Sequence, residues 1–210
     1  MNILLFGATG MVGDGVLRWL IASAPVDRVV AVSRKALSVQ HAKLQTVIES
    51  DMFRLQNLDV LHGFDACFFC LGASSVGMSP EAYRRLTYDL TLAVARQLLP
   101  GNPRMVFEYI SGEGTDANSR QKWARVKAET EEALFKLGFR DAYAHRPGFI
   151  QPMRCHEPHA VGALDVRFDA SDLPISPKDL QPVRDFHRPA GRGDASACHH
   201  LQPEEDIEYT

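Results

Sequence analysis

The chain has 210 residues, 45% of them hydrophobic, and a formal net charge of −3. That length fits one domain able to bury a core without disulfides or a structural metal. The slight acidity supplies no basic field to draw in nucleic acid or an anionic membrane, and no stretch approaches the roughly 20 apolar residues of a membrane span. The apolar run at residues 3–6 ends at once in glycine with no basic segment before it. This argues against a signal peptide and for a cytoplasmic protein.

Taken in order, Asn2–Phe6 predicts a short strand of the buried parallel type. A helix is expected over residues 12–22, with Val16, Leu17, Trp19, Leu20 and Ile21 as its apolar positions and Pro25 closing the region. Strands follow at residues 29–33 and 44–48, the latter ending in Glu49-Ser50-Asp51, then a short helix or turn at residues 58–61. Asp65 introduces a fourth strand over residues 66–71. Pro80 stands near the first turn of a long helix reaching about Leu99, a position that tolerates proline. Residues 105–110 predict a fifth strand, residues 119 or 120 to 137 a helix stopped by Gly138, and residues 141–145 a sixth strand. Strands alternating with helices at this spacing imply an α/β fold, a doubly wound parallel sheet of the Rossmann type.

Of the four cysteines, Cys67, Cys70, Cys155 and Cys198, the first two form a C-x-x-C pair. That spacing invites a redox or zinc reading. Both, however, lie in an apolar strand, where residues three apart point to opposite faces, so they are read as structural.

Gly7-Ala8-Thr9-Gly10-Met11-Val12-Gly13 joins the first strand to the first helix. Gly7 permits the tight turn, Gly10 lets backbone N–H groups approach a pyrophosphate, and Gly13 allows close packing of helix on strand. The helix N-terminus adds its dipole, so Gly7, Thr9, Gly10, Met11, Val12 and Gly13 are candidate dinucleotide contacts. At the end of the second strand, an NAD site usually carries an acidic residue for the ribose 2′-hydroxyl. Here stand Ser33-Arg34-Lys35, and two cations suit a 2′-phosphate, so NADP is expected and NAD less so.

These residues together resemble the short-chain dehydrogenase/reductase superfamily, in its extended or atypical branch of NAD(P)-binding epimerase/dehydratase-like proteins. Within it, the chain is similar to the small Tat-interacting oxidoreductase-like proteins. The glycine loop resembles that branch's loop, and Asp51-Met52 its acidic adenine contact. Leu71-Gly72-Ala73 resembles the segment beside the adenine ribose and nicotinamide, Ser111 stands where the branch has its catalytic serine, and Arg146-Pro147-Gly148 resembles its Arg-Pro-Gly turn. The resemblance covers residues 1–152 and implies hydride transfer to or from a small carbonyl or alcohol substrate. It also implies a homodimer.

The superfamily's catalytic pair is Tyr-x-x-x-Lys, whose spacing sets both side chains on one helix face. Here Trp123-Ala124-Arg125-Val126-Lys127 keeps the lysine and replaces the tyrosine. An indole N–H can polarise a carbonyl but cannot act as acid or base near neutral pH. Two readings stay open. Either chemistry persists at Ser111, Lys127 and Trp123, with Ser111, Tyr109 or water supplying the proton, or the chain is a non-catalytic NADP(H)-binding sensor or protein-interaction module. Tyr109 shares a strand face with Ser111 and is read foremost as a core aromatic.

After Pro152 the chain loses any period, and residues 153–210 are expected to be an irregular tail without strand or amphipathic helix, against a Rossmann domain at residues 1–152. His156, His159, His187, His199 and His200 show no ligand spacing, so no metal site is expected. A shifted reading frame of residues 189–210 permits segments resembling the branch's last helix and strand. The tail then reads as a frame-shifted remnant of the substrate-binding region, which sequencing the gene around Met153 tests.

Overall fold

Two hydrophobic surfaces, one on each face of a single parallel sheet, organise the chain. The computed structural model describes residues 1–150 and a two-residue strand, Glu208–Tyr209. Its strands are β1 (Asn2–Phe6), β2 (Arg28–Ser33), β3 (Val39–Gln40), β4 (Leu44–Ile48), β5 (Ala66–Phe69), β6 (Val106–Ile110), β7 (Asp141–His145) and β8 (Glu208–Tyr209). Its helices are α1 (Met11–Ala22), α2 (Pro80–Arg84), α3 (Leu90–Leu98) and α4 (Lys122–Phe135). The six-stranded sheet runs β4-β2-β1-β5-β6-β7, every neighbour parallel. This is the doubly wound order expected of a Rossmann fold.

Alternation along the strands explains the two cores. Leu4, Phe6, Val30, Val32, Cys67, Phe69, Phe107 and Tyr109 pack on one face with Leu92 and Leu98 of α3 and Leu134 of α4. Ile3, Leu5, Val29, Ala31, Phe68 and Val106 pack on the other with Leu17, Leu20 and Ile21 of α1. Cys67 belongs to the first core, and Cys70 packs against the second. Both thiols are free, and burial raises both, Cys70 to about 12. They are structural residues, as their strand position predicts.

The structure corrects several element boundaries. The helix expected from Pro80 to Leu99 is broken into α2 and α3 by one wide turn, Arg85–Asp89. At its end the Thr91 hydroxyl donates to the Thr87 carbonyl at 2.6 Å. Apolar spacing cannot report such a turn, because the backbone stays helical through it. The start of α2 follows its caps: Ser79 Oγ accepts from the Ala82 N–H, and Pro80 follows at once. The fourth predicted strand ends at Phe69, although the Cys70 N–H still donates to the Phe6 carbonyl at 2.9 Å. Helix α4 begins only at Lys122, because Ser119 Oγ accepts from the Gln121 N–H and holds the preceding residues in a turn. The expectation of a strandless tail is also corrected: β8 pairs antiparallel with β3, Val39 opposite Tyr209. Two paired residues have no period for a sequence to reveal. The remaining tail readings, including its five histidines and the shifted frame, lie outside the described residues.

Candidate functional site

Strand order reverses at β1 and β5, and the loop after β1 sits at that switch point, on the carboxyl edge where open α/β sheets bind ligands. Gly7 takes φ +85°, and an added Cβ would lie 2.7 Å from the Cys70 carbonyl carbon. At Gly13 an added Cβ would fall 2.0 Å from the Gly7 carbonyl oxygen. Only glycine lets the loop close this tightly between β5 and α1. The Gly10 N–H donates to the Gly7 carbonyl at 2.9 Å, and no side chain caps α1. First-turn N–H groups at Met11, Val12 and Gly13 are thus left to a ligand, beside the exposed Thr9. A pyrophosphate fits this cradle.

Arg34 and Lys35 follow β2 directly, both exposed, and form no ion pair among the described residues. The next turn follows β4. Met52 is buried in the core, and the exposed Asp51 accepts from the Phe53 N–H at Oδ1, 2.9 Å. Sequence reasoning missed Glu49. It is 1% exposed and accepts from the Gln56 N–H at 3.0 Å, the Asn57 N–H at 2.8 Å and the Asn57 side-chain amide at 3.0 Å. Its carboxylate ties the loop after β4 to the strand. Glu49→Ala orphans these donors, and an expected loss of about 3 kcal/mol on urea unfolding checks its structural role.

Leu71, Gly72 and Ala73 continue β5 along the same edge, Leu71 packed against the core and the other two exposed. At the end of β6, Lys127 Nζ donates to the Ile110 carbonyl at 3.2 Å and lies 5.3 Å from the centre of the Tyr109 ring. Burial pushes its ammonium down from 10.5 to about 8, while Glu131 pulls the other way. Tyr109 is 2% exposed, its phenol pushed well up by burial, and it packs with Phe69 in the core. Burial thus keeps the proton on its phenol.

Trp123 lies over the turn after β6, where a Cβ added at Gly114 would sit 3.6 Å from its ring. Its indole N–H donates to Gln121 Oε1, so the donor expected for a carbonyl is already engaged. Sequence reasoning also missed Glu131. It stands one turn beyond Lys127, and its carboxylate accepts from Ser111 Oγ at 2.5 Å and from both Nε and Nη2 of Arg146, at 3.0 and 2.5 Å. The signal was available, since Trp123, Lys127 and Glu131 follow at intervals of four on one helix face. Ser111, Lys127 and Trp123 thus gather at one end of β6, with Glu131 and Arg146 added. Arg34 and Lys35 lie on another strand of the same sheet edge.

No protein-family model matches the chain. The protein fmp52, mitochondrial, of Emericella nidulans is 34% identical over 160 residues, which cover 73% of this chain and 68% of that protein. Protein fmp52-1, mitochondrial, of Aspergillus oryzae is 34% identical over 160 residues, covering 73% of this chain and 67% of its own length. Both names carry a mitochondrial location, and this overturns the cytoplasmic reading drawn from the N-terminal residues.

Among solved structures, a short-chain dehydrogenase of Burkholderia cenocepacia in complex with NADP aligns with a TM-score of 0.59 at 16% identity, covering 72% of this chain and 73% of its own. UDP-glucuronic acid 4-epimerase of Bacillus cereus, in complex with NAD, aligns at 0.56 and 16% identity over 73% of this chain and 58% of that one. MoeE5, in complex with UDP-glucose and NAD, aligns at 0.55 and 18% identity over 70% of this chain and 54% of its own. The chain thus spans little more than half the length of these last two proteins. At such identity the likeness establishes the epimerase and short-chain dehydrogenase fold.

Proposed function

The chain belongs to the fmp52 family, and from its site we propose that it binds a nicotinamide dinucleotide, NADP(H) ahead of NAD(H), and acts as an oxidoreductase on a carbonyl or alcohol compound. The observation that carries this reading is the uncapped α1 N-terminus behind a glycine cradle, on the same sheet edge as Ser111 and Lys127. When bound, the nicotinamide supplies or takes hydride, and the protein's part is to bind, orient and exchange a proton. Gly7, Gly10 and Gly13 let the backbone close on the pyrophosphate, and Arg34 with Lys35 meets a 2′-phosphate. With tryptophan in the tyrosine position and Tyr109 buried, Lys127, brought down to about 8 by burial, is the group assigned the proton exchange.

Arg34→Ala tests the cofactor preference. Loss of a charge-assisted contact is expected to weaken NADPH binding about 10- to 100-fold and to leave NADH within about twofold. Equal losses for both cofactors in a fluorescence titration would count against a 2′-phosphate site.

A second reading, a non-catalytic NADP(H)-binding sensor or interaction module, is favoured by Trp123, whose N–H is held by Gln121. Titration with NADPH and NADH, followed by turnover assays on a panel of carbonyls and alcohols, separates the two. Binding with turnover supports the enzyme, binding alone supports the module, and no binding rejects both. The relatives' names further support a mitochondrial location, which cell fractionation checks.

A further inference from the structure

Three buried polar side chains and the half-exposed Arg146 meet where β6 ends. Ser111, Thr115 and Glu131 are 6%, 5% and 4% exposed. Ser111 Oγ lies 2.5 Å from Glu131 Oε1 and 3.1 Å from Thr115 Oγ1, and Thr115 Oγ1 donates to the Gly112 carbonyl at 2.7 Å. Arg146 grips both oxygens of Glu131 through its fork.

Counting protons fixes the direction of these bonds. A carboxylate only accepts, and a serine hydroxyl has one proton to give. A charged acceptor outcompetes a neutral one, so the Ser111 proton goes to Glu131. Arg146 holds the carboxylate still while it takes that proton, and five guanidinium donors leave Glu131 no reason to turn away. What Ser111 retains for any other partner is a lone pair.

We propose that Glu131 is a positioning residue acting through Ser111: it turns the serine into a hydrogen-bond acceptor, so that this site takes a molecule offering a hydroxyl there in preference to the matching carbonyl. The inference rests on the oxidoreductase reading above and narrows its ligand class to alcohols. A carbonyl oxygen brought against Ser111 meets lone pair with lone pair, whereas an alcohol supplies the missing proton. Glu131→Gln reverses the arrangement. The charged acceptor that claims the serine proton is gone, so that proton is free to turn toward the ligand.

The experiment first titrates the wild-type chain with NADPH; failure to bind defeats the cofactor reading itself and is recognised as such. Matched pairs from 2-butanol and 2-butanone up to 2-decanol and 2-decanone are then compared by saturation-transfer NMR. Alcohols are measured with NADPH and ketones with NADP⁺, so that neither pair turns over. The expected result is tighter binding of the alcohols to the wild type and a shift of the alcohol-to-ketone ratio toward ketone of about tenfold in Glu131→Gln. A merely structural Glu131 would weaken both members of each pair alike. If Glu131→Gln does not fold, Ser111→Ala serves instead, and its ratio is expected to fall toward one. An unchanged ratio in a folded variant that still binds NADPH overturns the proposal, as does a wild type that binds NADPH and prefers ketones or neither probe.

Discussion

Gly13→Ala is expected to abolish measurable NADPH binding, at least ~100-fold in affinity, and to lower stability by about 2–3 kcal/mol. The added Cβ would fall 2.0 Å from the Gly7 carbonyl oxygen and 2.6 Å from its carbon. Gly7 cannot retreat, because it is itself wedged against the Cys70 and Leu71 backbone. The strain must therefore pass into α1, moving its first turn away from the phosphate position. Gly15→Ala is the control in the same helix. Nothing lies within 4 Å of an added Cβ there, and relief of backbone entropy is expected to stabilise by about 0.5–1 kcal/mol. Both effects are read from thermal unfolding and from fluorescence titration with NADPH. If Gly13→Ala binds NADPH as the wild type does, the loop is not the cradle described above.

That loop was legible in the sequence because its chemistry is local. Three glycines between an apolar strand and a helix state both their backbone demand and their place in the fold. The doubly wound fold followed from strands alternating with helices, and the structural reading of Cys67 and Cys70 followed from strand geometry. Other features depend on contacts far along the chain. Glu49 binds residues seven and eight positions on, and an acid after a strand looks like any surface acid until its loop folds over it. Glu131 shares a helix face with Lys127, but its role requires Ser111 after β6 and Arg146 after β7 to converge on it. Trp123 depends on a neighbour close in the chain. Its indole N–H is a donor, and Gln121, two residues away, accepts the hydrogen bond.

Lys127→Met is expected to separate stability from function. In the wild type, burial holds the folded ammonium near 8, below its ordinary 10.5. Below pH 8 both states keep the proton, and the folded state bears the full cost of a buried charge. Between about pH 8 and 10.5 the unfolded chain binds more protons than the folded one, so stability rises with pH, by up to about 3 kcal/mol. The methionine side chain is neutral throughout, so the variant should lose this rise. Near pH 7 it should be the more stable protein, less whatever the bond to the Ile110 carbonyl contributes. Its turnover, by contrast, should fall by about 10²- to 10⁴-fold, the usual contribution of a positioned acid or base. The pH profile of the wild type gives the sign of the role. Alcohol oxidation needs the free amine and should increase as pH rises through about 8, whereas carbonyl reduction needs the ammonium and should decline over the same interval. Unfolding by urea at pH 7 and pH 10, together with initial rates in both directions, checks each part. A variant that gains stability and keeps its rate would remove Lys127 from proton exchange and leave it only a buried, destabilising cation beside β6.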